Sequence, residues 1–551
     1  MNSANALSSL PKIHPAGTWE ALADALGTLP ALCQGERSVS WRDFEQRAAR
    51  LATAFTKAGL GPGDTIAIDL YNCNEWMEVF FAAMKVRCVP ANVNYRYLDR
   101  ELVHLLSDSG ARALVFHASL TETVQRALHL LPKISLLVRV ADGIGPTDPL
   151  PGVHELEDLI AMHAPAARIE RQPDDQYLSY TGGTTGLPKG VMVNMSRLGN
   201  SMFFIGPALG ITPEQLADPL GTAVAAAEGG QRVVAIPASP IMHSTGFGMA
   251  ATPALNYGGT VVTLCSRSFD PSELLDAVER RSVNLVTMVG DAMARPLVRA
   301  MQQNPERSRA RQLGSLRVIA SAGVAWSGEA KAALFDFLPE VSMLDSCGAS
   351  EGITYGSRIY RKGDDLSGTH FVPAPGLMIL DEHGHPQPNR PGITGLLANS
   401  ATAVGYFNDP QKSASTYREI NGTWCAVPGD YGRLEESGLL TLLGRRSNTI
   451  NTGGEKVYPE EVEDVLRAMP GLEDCLVFSM PDERFGQRVA ALIEVRNGQA
   501  LEEAHVLQHV RHHLAGYKMP RVLKFVAKVP RAPNGKADYV AARALMASAD
   551  R

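Results

Sequence analysis

Residues 180–190 read Tyr-Thr-Gly-Gly-Thr-Thr-Gly-Leu-Pro-Lys-Gly and lie between two strand-like runs, 176–180 and 191–194. The glycines allow backbone N–H groups to converge on an anion, while the threonine hydroxyls and Lys189 supply further hydrogen-bond donors. This is not a Walker A loop, because Pro188 precedes the lysine and Gly190 stands where a Ser or Thr would follow it. A glycine-rich hairpin turn is the alternative, but the complete string favours a loop that binds phosphate.

The composition describes an ordinary globular chain that is long enough for more than one domain. The 551 residues are 45% hydrophobic and 20% charged, and the net charge of −6 with a pI of about 6.2 argues against a nucleic-acid partner. The seven cysteines are scattered without CxxC spacing, which predicts reduced thiols, no zinc site and a cytoplasmic location. The N-terminus lacks a secretory pattern, and no apolar run is long enough to predict a membrane span.

Strand-like and helix-like segments alternate along most of the chain. A strand at 65–70 is followed by a helix, and the alternation continues through the strand 113–116, which predicts an α/β fold with mainly parallel strands. Residues 117–175 are predicted to be peripheral, residues 195–209 are predicted to be helical, and 211–230 receive no assignment. Further predictions are buried strands at 232–238, 260–264, 283–289, 316–322 and 340–345, strands and turns at 371–445, and a compact βααβ-like piece from Asn451.

Four separated strings share one family pattern. They are residues 180–190, Asp345-Ser-Cys-Gly-Ala-Ser-Glu351, Gly429-Asp430 with Gly444-Arg445, and Pro533-Asn-Gly-Lys536. Their order and spacing resemble the adenylate-forming superfamily of acyl-CoA synthetases, luciferases and peptide-synthetase adenylation domains, over residues 20–545. Segments 290–298 and 453–463 are most similar to bacterial fatty acyl-CoA synthetases, including the branch that acts on long-chain or steroid side-chain carboxylates.

The resemblance implies two domains within the α/β class. Residues 1–446 would form a large multi-subdomain adenylation body that binds ATP and the acyl group, with mainly parallel sheets sandwiched by helices and a β-barrel-like part. Residues 447–551 would form a small, mobile α+β domain that carries the catalytic lysine. A homodimer is compatible with the resemblance.

The resemblance also implies an ATP-dependent carboxylate–CoA ligase that requires Mg²⁺. A carboxylate is a poor acyl donor, so its attack on the α-phosphorus of ATP first gives an acyl adenylate and pyrophosphate, and the CoA thiol then displaces AMP. Because the first step brings two anions together, it needs a phosphate loop, a metal ion and a mobile cation. The implied substrate is a hydrophobic small-molecule carboxylic acid, either a medium- or long-chain fatty acid or a steroid side-chain acid, which indicates lipid metabolism or steroid degradation.

The residues implied in ATP binding come from all four strings. The glycine loop would hold the β- and γ-phosphates with Lys189 as an additional charge, and Glu351 with Ser350 would provide the Mg²⁺ side. Outside the family pattern, Glu351 would be read as a carboxylate at a helix N-terminus. The full ATP-binding set is Thr181, Gly182, Gly183, Thr184, Thr185, Gly186, Lys189, Gly323, Val324, Ala325, Asp345, Ser346, Cys347, Gly348, Ala349, Ser350, Asp430, Arg445 and Lys536.

Several of these residues carry individual expectations. Residues 323–325 and 345–349 resemble the two walls of the adenine slot, where Asp345 would accept a hydrogen bond from the adenine amino group. Asp430 would bind the ribose hydroxyls beside Arg445, although an aspartate after glycine is otherwise an ordinary turn residue.

The resemblance implies three catalytic residues, Lys536, Glu351 and His243. Lys536 would bridge the acyl carboxylate and the α-phosphate during adenylation, whereas without the resemblance it is a solvated lysine after a turn. His243 lies in a Pro-x-x-His-x-x-Gly segment and would either orient the substrate or only pack against the pocket. The implied acyl pocket contains Met242, His243 and Phe247.

The catalytic lysine would obstruct CoA after adenylation, so the C-terminal domain of this family rotates. The hinge position is Ser447 here, and rotation would bring Gly453 and Gly454 to the CoA tunnel, where side chains would obstruct pantetheine. The sequence departs from the family at the hinge serine, at Met195 in place of a histidine after the glycine loop, and at Cys347 in place of the aromatic residue that packs on adenine.

Two other functions remain as alternatives. A stand-alone adenylation enzyme would load a carrier protein, but the chain continues for only about fifteen residues after Lys536, which favours free CoA. A non-enzymatic nucleotide-binding regulator is disfavoured by the joint presence of Lys189, Glu351, Asp430 and Lys536.

Overall fold

Three β-sheets with helices packed on their faces organise the chain. The computed structural model describes residues 14–131, 134–181, 187–198, 202–445, 448–452, 455–482, 486–514, 516–532 and 535–548. Within these ranges the sheets contain 15, 8 and 5 strands. The predicted α/β class, with a large N-terminal part and a small C-terminal part, is confirmed.

The largest sheet has a parallel half and an antiparallel half. The strands from Pro30–Gln34 to Ser342–Ala349 are parallel neighbours, and the strands from Ile353–Tyr360 onward are antiparallel, as is the edge strand Arg37–Ser40. The antiparallel half contains the predicted strand-rich segment 371–445. Across the sheet the order is Arg37–Ser40, Pro30–Gln34, Thr260–Thr263, Val234–Pro237, Leu285–Met288, Val318–Ala322, Ser342–Ala349, Ile353–Tyr360, His370–Pro373, Leu440–Arg445, Asp430–Leu434, Thr394–Ser400, Thr423–Ala426 and Tyr417–Ile420, with Met378–Leu380 beside Thr394–Ser400.

The second sheet carries the strands on either side of the glycine-rich stretch. Its strand Thr65–Asp69 is buried along its whole length, as expected for a parallel strand covered by helices on both faces. The segment predicted to be peripheral contributes the last two strands at one side of the sheet, Leu136–Val140 and the edge strand Val153–Glu155. Across the sheet the order is Ala403–Tyr406, Lys189–Asn194, Gln176–Thr181, Val89–Asn92, Thr65–Asp69, Ala111–His117, Leu136–Val140 and Val153–Glu155.

Helices begin where the sequence supplies a cap and an apolar face. Ser40 accepts a hydrogen bond of 3.1 Å from the Asp43 backbone N–H, and the helix that follows buries Phe44 and Phe55 completely. The longer helices of the large part are Pro15–Leu26, Trp41–Lys57, Asn74–Lys85, Asp99–Asp108, Thr121–Leu128, Leu156–Met162, Pro219–Glu228, Pro271–Arg281, Gly290–Gln303, Gly328–Phe335 and Pro410–Thr416.

The predicted helix at 195–209 is helical at Met195–Leu198 and Met202–Ile205 and changes to a 3₁₀ turn at Gly206–Leu209, while residues 199–201 lie outside the described residues. Pro207 and Gly210 explain the change at its end, because proline lacks a backbone donor and Gly210 adopts φ of +78°. The unassigned residues 211–230 form two helices, Pro213–Ala217 and Pro219–Glu228.

The C-terminal part is built around a long antiparallel hairpin, so the predicted βααβ order is wrong. Its elements follow the order Ile450–Thr452, Glu455–Val457, Pro459–Arg467, Leu472–Asp482, Gly486–Val495, Glu503–His513, Val522–Val526 and Tyr539–Ala547. Val477 faces one apolar cluster and Phe478 faces another, so both faces of the hairpin are buried. A nearly continuous apolar run of this kind does not distinguish a strand from a helix by its periodicity.

Two global predictions can be compared with the described residues. No helix among them is long and apolar enough to cross a membrane. All seven cysteines are free thiols, and only Cys265 is exposed. The predicted domain boundary at 446 and 447 lies outside the described residues, so the division stays a prediction.

The buried carboxyl group of Asp69 makes the stability of the large part dependent on pH. Asp69 is 4% exposed, its Oδ1 accepts no hydrogen bond within the described part of the chain, and burial raises its pKa to about 7. Because the pKa of Asp69 is higher in the folded protein than in the unfolded chain, this carboxyl group stabilises the fold at pH values below its unfolded pKa. This contribution is lost as the pH rises through about 7.

We therefore expect Asp69→Asn to raise the melting temperature at pH 8 and to leave it nearly unchanged at pH 4. Calorimetric melts between these pH values check the expectation, with the exposed Asp148→Asn as the matched control. A higher melting temperature of the wild type than of Asp69→Asn at pH 8 would contradict the expectation.

Candidate active site

The predicted site residues follow the carboxyl ends of parallel strands. Strand Val234–Pro237 leads to His243, strand Val318–Ala322 leads to residues 323–325, and strand Ser342–Ala349 leads to Glu351. Parallel neighbours end at the same edge of a sheet, where ligands of α/β proteins bind. This edge gathers the residues that are far apart in the sequence.

The glycine-rich stretch is the connection of an antiparallel pair of strands. Thr181 ends strand Gln176–Thr181 and faces Lys189 at the start of the return strand. The Lys189 ammonium forms an ion pair with Asp409, and both side chains are partly exposed. The connecting residues Gly182, Gly183, Thr184, Thr185 and Gly186 lie outside the described residues, and their role in binding phosphate stays a prediction.

Gly190 is required by a neighbouring ring. A Cβ at this position would lie 2.9 Å from the Tyr180 ring, which is closer than side chains approach one another. The Tyr180 hydroxyl donates a 2.6 Å hydrogen bond to Asp108, so the ring cannot move freely away. The glycine therefore allows the two strands to close beneath the loop.

Asn92 joins the glycine-rich stretch to the loop that carries His243, and no sequence motif pointed to this residue. Its Nδ2 donates to the carbonyl oxygens of Tyr180 at 3.1 Å and Met242 at 2.6 Å. Its Oδ1 accepts from the Tyr180 backbone N–H at 2.6 Å. Asn72 makes a similar link, because it donates to the carbonyl of Ser239 and accepts from the backbone N–H of Ile241. Two asparagine side chains therefore align the two sheets at the site.

His243 is a neutral imidazole at physiological pH. Burial is the main cause that lowers its pKa to about 4, and the positive charges of Lys536 and Arg96 lower it further. Its Nε2 has no hydrogen-bond partner among the described residues. Gly246 allows this loop to fold, since a Cβ there would lie 2.6 Å from the Ser239 carbonyl oxygen. The nitrogen is thus available to a ligand, which leaves both predicted roles of His243 open.

The two apolar residues of the predicted acyl pocket are buried. Met242 is 3% exposed, and the Phe247 ring lies 5.1 Å from Trp76 and 4.8 Å from Phe80, centroid to centroid. Phe247 also begins a π-helical turn, Phe247–Ala251, a deviation that is frequent at functional sites. The rings of Phe247, Trp76 and Phe80 therefore pack together, close in the chain to His243 at Phe247.

Asp345 is held in an internal ion pair. Lys331 Nζ lies 2.8 Å from Asp345 Oδ2 and 2.9 Å from the Trp326 carbonyl oxygen, and it stacks 4.2 Å above the Tyr360 ring. Burial raises the pKa of Asp345, and the lysine opposes that rise. Because the side chain is 3% exposed, its predicted contact with an adenine amino group stays a prediction.

The two predicted walls of the adenine slot are partly exposed. Gly323 has φ of +89°, and the Ala325 carbonyl oxygen accepts from the Asp291 backbone N–H at 3.0 Å. On the opposite strand, Ser346 and Cys347 are buried while Gly348 is exposed and Ala349 and Ser350 are partly exposed. Burial, followed by the charge of Asp345, keeps the pKa of the Cys347 thiol well above its usual range. Cys347 is therefore a neutral, buried group.

Glu351 lies in the turn between strands Ser342–Ala349 and Ile353–Tyr360, so the alternative of a helix N-terminus is wrong. Its Oε1 accepts a 2.6 Å hydrogen bond from the Tyr406 hydroxyl, a partner that the sequence did not reveal. Its Oε2 is buried and has no hydrogen-bond partner among the described residues. A buried carboxylate oxygen without a donor suits a divalent cation, so the residues fit the predicted Mg²⁺.

The surroundings of Glu351 limit how such a cation could be bound. Within the described ranges no group of three or more His, Cys, Asp or Glu side chains is arranged for a metal. A cation at Glu351 would therefore need oxygen ligands from bound substrate and water, which is the usual manner of Mg²⁺.

Asp430 is buried at the start of strand Asp430–Leu434, so it is not an ordinary turn residue. Its Oδ2 accepts a 2.6 Å hydrogen bond from the Tyr355 hydroxyl. The backbone of Asp430 pairs with that of Arg445 on the adjacent strand, which brings the two predicted ribose contacts together. Tyr355 is a further residue that sequence reasoning missed.

Lys536 follows a turn that packs on the large part of the protein. Gly535 has φ of +80°, and a Cβ there would lie 3.2 Å from Ala292 and 3.5 Å from Val324. Lys536 itself is exposed, and its charge reaches His243. The turn before Lys536 therefore lies beside Val324, and the Lys536 charge lowers the pKa of His243. The predicted hinge and CoA-tunnel residues, Ser447, Gly453 and Gly454, lie outside the described residues.

Known proteins similar to this chain were found along most of its length. The profile of the family described as AMP-binding enzyme matches residues 19–406, and that of the AMP-binding enzyme C-terminal domain matches residues 461–536. A 3-oxocholest-4-en-26-oate–CoA ligase from Rhodococcus rhodochrous is 36% identical over 517 residues, 92% of this chain and 91% of that protein. A medium/long-chain-fatty-acid–CoA/3-oxocholest-4-en-26-oate–CoA ligase from Mycolicibacterium smegmatis is 35% identical over 524 residues, 94% of each chain.

A solved structure shows the same fold. The crystal structure of an anthranilate CoA ligase in complex with anthranoyl-AMP matches with a TM-score of 0.81 over 98% of both chains. The sequence identity is 22%, so this likeness speaks for the fold alone.

The bridging role of Asn92 predicts that Asn92→Asp disrupts nucleotide binding. The carboxylate would face the Tyr180 and Met242 carbonyl oxygens without a donor, and unpaired buried polar groups cost about 1–3 kcal/mol each. We expect about a tenfold or larger loss of ATP affinity by calorimetric titration.

Asn94→Asp is the matched control, because the Asn94 Oδ1 accepts from the Arg96 backbone N–H and the substitution keeps that acceptor. Equal affinities of Asn92→Asp and Asn94→Asp for ATP would show that the bridge does not support the site.

Proposed function

The chain belongs to the AMP-binding enzyme family, and on this premise we propose that it is an ATP-dependent carboxylate–CoA ligase that releases AMP and pyrophosphate. The observation that carries the proposal is the packing of the Lys536 turn beside Val324, where a Cβ on Gly535 would lie 3.5 Å from the valine, together with the effect of the Lys536 charge on His243. A lysine at that point can neutralise a carboxylate and an α-phosphate together, which adenylation requires. ATP and CoA are then the co-substrates.

The proposed substrate is a hydrophobic carboxylic acid of medium or long chain, or a steroid side-chain acid. Both relatives described above are named for ligases of such acids. The buried apolar surroundings of Met242 and Phe247 support a hydrophobic acyl group, because ligand pockets are lined mainly by apolar side chains with few polar groups.

The proposed nucleotide contacts are those that the sequence pattern implies. Residues 181–186 with Lys189 bind the β- and γ-phosphates, residues 323–325 and 345–350 border the adenine, and Asp430 with Arg445 binds the ribose. Attack of the acyl carboxylate oxygen on the α-phosphorus breaks the bond to pyrophosphate. The CoA thiol, after loss of its proton, attacks the acyl carbonyl and AMP leaves.

Mg²⁺ belongs to this proposal and would be held by Glu351 with Ser350 beside it. The ion would supply positive charge to the phosphate oxygens. The unpaired buried Oε2 of Glu351 supports its presence. Glu351 itself would act by keeping one carboxylate oxygen directed at the phosphate side.

The proposal includes the two-domain arrangement of residues 1–446 and 447–551. Ser447 would be the hinge, and rotation would withdraw Lys536 and bring Gly453 and Gly454 to the CoA tunnel. Exposed ion pairs, such as Arg496 with Glu329, join the C-terminal part to the body, and pairs of this kind contribute little stability. A homodimer and a cytoplasmic location remain part of the proposal, the latter supported by the free cysteines.

The half-reactions test the role of Lys536. We expect Lys536→Ala to lower acid-dependent pyrophosphate–ATP exchange by about a hundredfold or more, because a cation at the developing negative charge is removed. Thioester formation from supplied acyl-AMP should be largely retained. The exposed Lys528→Ala is the control and should behave as wild type in both assays. Equal loss in the two half-reactions would contradict a lysine withdrawn by rotation.

The reaction itself is tested by CoA-dependent release of AMP across carboxylic acids from short chains to sterol side-chain acids. We expect the highest kcat/KM with medium- or long-chain or steroid side-chain acids, because the surroundings of Met242 are apolar. A holo-carrier protein in place of CoA tests the carrier-loading alternative, which the names of the relatives do not favour. If none of the acids in the series supports release of AMP, the proposed ligase activity is refuted.

A further inference from the structure

A turn beside the glycine-rich stretch touches Glu351. Strand Ala403–Tyr406 pairs with strand Lys189–Asn194, where Tyr406 faces Val191. The next residue, Phe407, donates its backbone N–H to the Gly190 carbonyl oxygen at 2.8 Å. Tyr406 therefore stands next to the return strand of the loop and is attached to it by backbone hydrogen bonds.

The Tyr406 side chain is held firmly in place. It is 5% exposed, and its ring meets the Tyr417 ring edge to face at a centroid distance of 5.7 Å. The Tyr406 backbone N–H donates to the Ser413 hydroxyl at 2.8 Å. The direction of the phenol hydroxyl is consequently set by the surrounding backbone and by ring packing.

That hydroxyl orients the Glu351 carboxylate. It donates to Oε1 at 2.6 Å and leaves Oε2, which is buried and accepts no hydrogen bond from the described residues. A phenol carries no charge at neutral pH, so it directs the carboxylate without neutralising it. A carboxylate oxygen that is both buried and unpaired is costly unless a cation or donor reaches it.

We propose that Tyr406 is a positioning residue that presents Oε2 of Glu351 to the divalent cation of the nucleotide complex. This inference rests on the proposed function and adds a residue to its metal side. Tyr406 does not touch the nucleotide. Tyr406 restricts the conformations of the Glu351 side chain before the cation binds. Less conformational entropy of that side chain is therefore lost on binding.

A packing role is the competing explanation, since Tyr406 belongs to a large apolar cluster with Tyr417. The two residues provide a matched pair for separating the explanations. Tyr417 is 3% exposed, and its hydroxyl donates to the backbone carbonyl oxygen of Glu351 at 3.4 Å rather than to the carboxylate. Tyr406→Phe and Tyr417→Phe each remove one buried hydroxyl from the same cluster.

The decisive measurement is the affinity for a non-hydrolysable ATP analogue as a function of Mg²⁺ concentration, without acid or CoA. We expect Tyr406→Phe to raise the half-saturating Mg²⁺ concentration by about tenfold or more, as a hydrogen bond to a charged group is lost. Analogue affinity without Mg²⁺ should stay unchanged. Tyr417→Phe should follow the wild type. Equal Mg²⁺ dependence of the two variants would overturn the proposal.

A double-mutant cycle with Glu351→Gln adds a second test. Tyr406→Phe should have no further effect on the Mg²⁺ dependence in the Glu351→Gln background, because the charged acceptor is already removed. Additive effects would overturn the proposal. If Tyr406→Phe does not fold, Ser413→Ala replaces it, since this change frees the Tyr406 backbone N–H without touching Glu351. It should raise the Mg²⁺ requirement by a smaller factor, and no change would overturn the proposal.

The outcomes separate this inference from the proposed function. A Mg²⁺ effect of Tyr406→Phe in an enzyme that releases no AMP with any acid would support the inference and refute the ligase. Normal ligase activity together with an unchanged Mg²⁺ dependence of Tyr406→Phe would support the ligase and refute the inference.

Discussion

The amide of Asn92 is the interaction on which the geometry of the site depends. Its three hydrogen bonds join the strand before the glycine-rich stretch to the Met242 carbonyl, and thus join two sheets that carry different parts of the site. Asn72 repeats the link one strand away. Because an amide offers both donors and an acceptor, one side chain can satisfy backbone groups from two loops. The phosphate side and the acyl side are therefore aligned before any ligand binds.

The buried carboxylates of the site have partners of two kinds. Glu351 and Asp430 each accept from a tyrosine hydroxyl at 2.6 Å, whereas Asp345 is paired with the ammonium of Lys331 at 2.8 Å. A phenol orients a carboxylate but leaves its charge available to a cation or a ligand donor, while a lysine neutralises it. This difference fits the proposed cation contact at Glu351.

Positive charge accumulates where the two proposed substrates would meet. Burial is the largest cause that lowers the pKa of His243, and the positive charges of Lys536 and Arg96 lower it further. A carboxylate and a phosphate would both be attracted to this region. The C-terminal turn that carries Lys536 packs close to Val324, since a Cβ on Gly535 would lie 3.5 Å from it, and the ion pair of Arg496 with Glu329 is exposed. Such an attachment can be released at small energetic cost, as a rotating domain would require.

The sequence alone determined the α/β order and the two strands on either side of the glycine-rich stretch, because apolar periodicity and turn residues act locally. It indicated Glu351, Asp430 and Lys536 only through the resemblance to the adenylate-forming superfamily. It did not determine the order of the C-terminal elements, since a hairpin buried on both faces loses its alternating pattern. The partners of the predicted residues were equally hidden. Tyr406 and Glu351 are 55 residues apart, Tyr355 and Asp430 are 75 apart, and Asn92 and Met242 are 150 apart. Only the tertiary structure decided these contacts, because each hydrogen bond depends on the packing of whole sheets rather than on neighbours in the chain.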